Sequence, residues 1–130
     1  MSRKTPFINT CPGAIDNVNG EIMEPLDLVV IFCTIPAAES ESMARALVDG
    51  RLVACVNVIP VHSYYRWNEE FCSEPEHLLI AKTKKTMAEV VIATIKGLHS
   101  YDVPEIIVLP VIAGYALYLS WVHDETDNGA

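Results

Sequence analysis

His99-Ser100-Tyr101-Asp102-Val103-Pro104-Glu105-Ile106-Ile107-Val108-Leu109-Pro110-Val111 joins a turn of polar and ionisable side chains to an almost wholly apolar run interrupted by proline. Pro104 biases Val103 towards extended backbone and makes helix unfavourable across the join. Ile106 to Leu109 are branched aliphatics, a short buried strand by type and length. The pattern has an earlier copy. Val56-Asn57-Val58-Ile59-Pro60-Val61 aligns with Ile106 to Val111 at an offset of 50 residues, and Leu28 to Thr34 aligns with His77 to Thr83 at an offset of 49.

The residues between these copies supply the other elements. Pro36, with Glu39 and Glu41 behind it, marks a helix start, acids lying near the positive end of the dipole. Met43, Ala44, Leu47 and Val48 share one face of that helix, and Gly50 is expected to close it as the C′ residue. Thr86 and Glu89 fit a capping box for a second helix, from Thr86 to His99. Asn68-Glu69-Glu70 reads as the tip of a long hairpin. Pro75 in its return arm predicts a bulge or an edge. Tyr115 to Glu125 forms a last helix. Two strand–helix–strand halves joined by a hairpin give an α+β fold, the ferredoxin-like split βαβ sandwich (βαββαβ), followed by a C-terminal helix. Residues 27–126 form this domain, residues 1–26 read as a flexible arm dense in Pro, Gly and Asn, and residues 127–130 as a tail.

Right-handed crossovers put both helices on one face of the sheet. The strands nevertheless read apolar on both sides, as in sheets covered on both faces. Self-association through the open face is the expected remedy.

Length and composition narrow the partners. A chain of 130 residues suits one domain with one core. Its formal net charge of −8 repels phosphate backbones, so neither nucleic acid nor an anionic membrane surface is an expected partner. No apolar run approaches the ~20 residues of a membrane span, and Met1 to Thr10 lacks the apolar stretch of a secretory signal. Cys11, Cys33, Cys55 and Cys72 form no C-x-x-C pair, so free thiols and a reducing, cytoplasmic setting are expected.

The topology also brings distant residues together. The first and fourth domain strands are antiparallel neighbours, so Cys33 at the end of one lies beside the start of the other, where His99, Tyr101 and Glu105 arrive. A soft thiolate and a borderline imidazole suit copper, and Glu105 or Tyr101 would add an oxygen. Cys33 reads more readily as a core thiol, and His99 equally as a helix cap. Lys82 within a strand needs an acid across a subunit interface or an anionic ligand. Tyr65 and Trp67 read as interface packing or as a ligand platform. No glycine-rich oxyanion or phosphate loop accompanies Cys33 and His99, so an enzyme is not expected.

Val30-Ile31-Phe32-Cys33-Thr34, Arg51-Leu52-Val53-Ala54-Cys55-Val56-Asn57, Tyr65-Arg66-Trp67, Leu79-Ile80-Ala81-Lys82-Thr83, His99 to Ile106 and Tyr118-Leu119-Ser120-Trp121 together resemble the CutA family, the divalent-cation tolerance proteins. The resemblance runs in order from about residue 27 to 124. It implies a ferredoxin-like protomer in a tight homotrimer, similar to the PII-like signalling proteins, and binding of copper or another divalent metal ion. An alternative it leaves open is a PII-like regulator that takes a small metabolite or a partner protein in its subunit clefts. By the same resemblance Cys33 matches the family's metal-site cysteine and His99 the histidine of its His-x-Tyr motif. Glu105, Tyr101, Lys82, Tyr65 and Trp67 fall in the matching segments. Leu98 stands where some bacterial members have a second histidine, Ser100 where proline is usual, and the hairpin tip lacks the usual glycine.

Overall fold

The computed structural model describes the backbone of Ile22–Met23 and residues 27–126. The expected arm and the tail of residues 127–130 otherwise lie outside the described residues. The elements run β1 (Ile22–Met23), β2 (Leu28–Ile35), α1 (Ala37–Asp49), β3 (Cys55–Trp67), β4 (Glu70–Lys84), a 3₁₀ turn (Lys85–Met87), α2 (Ala88–Leu98), β5 (Ile106–Pro110), β6 (Gly114–Tyr115) and α3 (Ala116–Glu125). The main sheet has four antiparallel strands in the order β3-β4-β2-β5. This is the order a βαββαβ chain must adopt when two crossovers of one hand place its first and third strands at the centre. A separate two-residue ladder pairs Ile22 with Tyr115 and Met23 with Gly114.

Strand alternation sorts the sheet into two faces. Val29, Ile31, Cys33 and Ile35 of β2, with Leu79 and Ala81 of β4, point to the helices and are buried against Met43 and Leu47 of α1 and Val91 and Ile95 of α2. Burying a side chain of this size contributes roughly 1.5–3 kcal/mol, and this layer is the core. The opposite face carries Val30 and Phe32 of β2, Leu78 and Ile80 of β4, Ile59 of β3, and Ile107 and Leu109 of β5, placed together by the register. Ile59, Ile107 and Leu109 are exposed there. The terminal helix α3 packs Leu119 and Val122 on Leu28, with Ala54 and Val111 alongside, at the opposite end of β2 from Thr34.

Two local expectations are corrected and a third is resolved. Gly50 is the C-cap with ordinary helical backbone (φ −79°), and Arg51 takes the left-handed C′ position (φ 58°). The Leu52 N–H bonds the Leu47 carbonyl (3.0 Å) and the Arg51 N–H that of Val48 (3.0 Å), a Schellman motif one residue later than expected. The Arg51 guanidinium donates to the Asp124 carbonyl at 3.1 Å, tying the strained residue to α3. The capping box at Thr86 does not form, because the chain enters α2 through the 3₁₀ turn and Met87 occupies the N-cap without a side-chain bond. Of the bulge or edge expected at Pro75, the structure has the edge: β3 and β4 pair in unbroken register from Cys55↔Lys82 to Trp67↔Glu70. Pro75 lies where β4 has left β2, whose pairing stops at Ile35↔His77, so its missing N–H faces an open edge.

Beyond that point the hairpin continues as a bare two-stranded ribbon. Asn68 and Glu69 turn it with φ of 52° and 65°, the signature of a two-residue type I′ turn. Tyr64 stacks on Phe71 at 6.3 Å between ring centroids.

Candidate functional site

The polar end of the sheet is assembled around His99. α2 ends at Leu98, and the His99 N–H still bonds the Ile95 carbonyl at 2.8 Å. Its ring then turns back to β2. Nε2 lies 2.8 Å from the Thr34 carbonyl oxygen, and the Tyr101 N–H points at Nδ1 from 3.1 Å. A carbonyl needs a donor and an N–H an acceptor, so the proton sits on Nε2 and both ring nitrogens are engaged. Ser100 extends the clamp to α1: its N–H and hydroxyl donate to the Glu39 carboxylate at 3.3 and 2.6 Å.

This clamp delivers Tyr101 to two acids of β4. Its hydroxyl donates to Glu76 Oε2 at 2.8 Å and lies 3.4 Å from Glu74 Oε1, which also accepts from the Tyr65 hydroxyl at 2.6 Å. Glu74 and Glu76 share a strand face because they are two residues apart. Burial and the bond to Glu76 push the Tyr101 hydroxyl pKa well up. The bond to Glu74 pushes Tyr65 up to about 12. Both phenols are therefore neutral donors.

Around this network opens a cleft of about 590 Å³, lined by Thr34, Tyr65, Trp67, Glu74, Glu76, Tyr101, Asp102 and Glu105 among others. Four carboxylates line it, and among the described residues no lysine, arginine or histidine does. Glu76 is 5% exposed. Its only bonding partner among the described residues is a neutral phenol.

Cys33 lies under this end of the sheet, on the core face and opposite Ile106. Burial pushes its thiol up to about 12, with the Glu105 and Glu76 carboxylates adding to the shift. It is a neutral core thiol whose one contact of note is the Thr34 carbonyl at 3.5 Å. Cys33, His99 and Glu105 are thus brought to one end of the sheet but not into a coordination cage. Among the described residues no three Cys, His, Asp or Glu side chains converge to hold a metal ion.

Of the expected ligand platform, Tyr101, Tyr65 and Trp67 line the cleft and Lys82 does not. Lys82 sits further along β4, where its ammonium bonds Asn57 Oδ1 of the neighbouring strand. Its partner lies within the protomer's own sheet, because Asn57 is the diagonal neighbour on the same face. The two acids that matter most, Glu74 and Glu76, escaped the sequence reading. The signal was present: Glu74-Pro75-Glu76 alternates acids along a strand, and so aims both at one face.

The family model described as CutA1 divalent ion tolerance protein matches residues 29–125. The divalent-cation tolerance protein CutA of Thermus thermophilus is 40% identical over 99 residues, covering 75% of this chain and 96% of that one. The chloroplastic protein CutA of Arabidopsis thaliana is 37% identical over 102 residues, 77% of this chain, and the chain spans just over half of that relative's length, 56%. Among solved structures, CutA1 from Oryza sativa superposes with a TM-score of 0.77 at 32% identity, covering 80% of this chain and 97% of that one. The PII-like protein CutA from Nostoc, in its apo form, gives 0.73 at 36% identity, covering 76% and 97%.

Proposed function

The chain belongs to the CutA1 divalent ion tolerance family, and from that premise we propose that it serves the response to divalent metal ions as a homotrimeric binding protein, not an enzyme, whose cationic ligand enters the acidic cleft. The observation that carries this reading is Glu76, a carboxylate almost wholly removed from water with no positive partner among the described residues. A carboxyl group with this little contact with water and no positive partner gains by meeting a cation that arrives from outside.

The side chains of this protomer do not fit a bare, fully coordinated ion. Both His99 nitrogens are in use, the Cys33 thiol holds its proton, and no three ligands converge. A divalent ion drawn to this cleft would be held by Glu76 and Glu105, with copper above the other first-row ions in intrinsic affinity. The trimer is supported by the uncovered apolar face bearing Ile59, Ile107 and Leu109, which obligate interfaces bury. The free thiols of Cys33, Cys55 and Cys72 support a reducing compartment such as the cytoplasm. The PII-like regulator remains as a second reading, favoured by a ready-made cleft without a metal cage.

Native mass spectrometry during copper and zinc titration tests the proposal, because it counts protomers and bound ions together. A trimer that takes copper in a manner sensitive to Glu76→Gln and Glu105→Gln is expected. A monomer, or copper uptake indifferent to both substitutions, would refute it.

A further inference from the structure

The cleft has a feature that a simple metal site does not need, an aromatic wall. Trp67 is 50% exposed, and its indole and the Tyr65 ring border the same space as the carboxylates. Aromatic faces attract cations whose charge is spread over organic groups and whose water is easily shed, and Trp does so best. Carboxylates fix the N–H donors of the same groups.

Glu76 defines where such a group would sit. Its Oε2 accepts from Tyr101, while Oε1 has no hydrogen-bond partner among the described residues. No fully enclosed side-chain oxygen among the described residues lacks a partner, so Oε1 keeps contact with solvent, and Glu76 lines the cleft. A carboxylate nine-tenths buried that lines the cavity therefore keeps one oxygen bare. Glu74 stands beside it, and both phenols have spent their protons on these acids. Among the described residues the site offers acceptors and aromatic faces, and neither a cation nor a free donor from Tyr65 or Tyr101.

Resting on the reading of this cleft as a cation site, we propose that its ligand is a small organic cation carrying ammonium or guanidinium groups, bonded to Glu76 and packed on Trp67. About 590 Å³ is ample for a molecule of this kind. A bare ion needs three or more converging ligands, which the described residues do not supply. An N–H-bearing group needs acceptors spaced along a cavity and an apolar surface for its carbon stem.

The chain has two tryptophans, so Trp121→Phe leaves Trp67 as the sole indole reporter. Spermidine and arginine amide, titrated into this protein with EDTA present, are expected to change Trp67 emission saturably, with a midpoint that rises with sodium chloride. Glu76→Gln keeps the acceptor for Tyr101 and removes the charge, and should weaken both ligands at least tenfold. Glu74→Gln should weaken them several-fold, and calorimetry on Trp67→Leu should show a loss of similar size. No saturable response to either amine, or unchanged midpoints in Glu76→Gln and Glu74→Gln, overturns the proposal. Copper binding without amine binding overturns it and leaves the divalent-ion reading standing. Amine binding without metal binding supports it and removes that reading.

Discussion

Replacing His99 by alanine separates a structural imidazole from a ligand held in reserve. The ring makes two bonds at the end of the sheet, to the Thr34 carbonyl at 2.8 Å and from the Tyr101 N–H at 3.1 Å, and the residue is 8% exposed. Each such bond is worth ~1 kcal/mol net, and a buried group left unsatisfied costs about 1–3 kcal/mol. Thr34 and Tyr101 lie at the rim, so water relieves part of the penalty, and a total loss of about 2–4 kcal/mol is expected. Urea unfolding at fixed protomer concentration, with EDTA throughout, reads this directly, since ~1–3 kcal/mol per molar makes it a midpoint shift on the order of 1–2 M. His99→Gln, which retains a donor and an acceptor, should recover part of it. Metal-free His99→Ala protein within 0.5 kcal/mol of the parent would refute the reasoning, because the two bonds would then be incidental and the imidazole free for another use.

Ile107→Lys places a charge on the open sheet face and should dissociate the proposed trimer, with light scattering giving a trimer mass for the parent and a monomer mass for the variant; an equal mass for both would show that this face is not an interface. The Cys33 thiol is held at about 12 against an ordinary 9.0, so between these values the unfolded chain carries fewer protons than the native one. Stability should be intact below pH 9 and fall as the pH climbs towards 12, by up to ~1.4 kcal/mol per unit from this group, and Cys33→Ala should flatten that fall while the two raised tyrosines maintain the rest. Glu69 holds a left-handed backbone at φ 65°, which costs ~1 kcal/mol in a residue with a Cβ, so Glu69→Gly should raise the unfolding midpoint, and a lowered one would mean that the turn is not strained.

The architecture was legible because it rests on periodicity. The match of Val56–Val61 with Ile106–Val111 located corresponding strands, and the pairing of Cys33 with Ile106 follows from the topology they imply. What escaped depends on one-residue offsets and on partners. Whether Gly50 or Arg51 takes the left-handed position turns on where the last helical bond closes. Whether Thr86 caps a helix turns on a 3₁₀ turn that propensity does not see. His99 was recognisable as a residue of importance, but its engagement by Thr34 and Tyr101 depends on backbone groups that carry no side-chain signature. The acids Glu74 and Glu76 were hidden by Pro75, which drew attention to a bulge or an edge and away from the alternation around it.

The two-residue turn at Asn68–Glu69 also bears on the order in which the molecule assembles. Closing that turn constrains very little chain, whereas β2 can meet β5 only after some seventy intervening residues have been gathered, at a steeper entropic cost. The β3–β4 ladder is therefore the expected nucleus, with β5 added late. Glu74, Glu76, Tyr65 and Trp67 all ride on the early hairpin, while Tyr101, Asp102 and Glu105 arrive with the last strand. A nascent chain would thus hold half of its cleft, exposed and negatively charged, before the other half is in place. Pulse-labelled amide exchange during refolding would show it as protection in β3 and β4 ahead of β5, and simultaneous protection of all three would count against it.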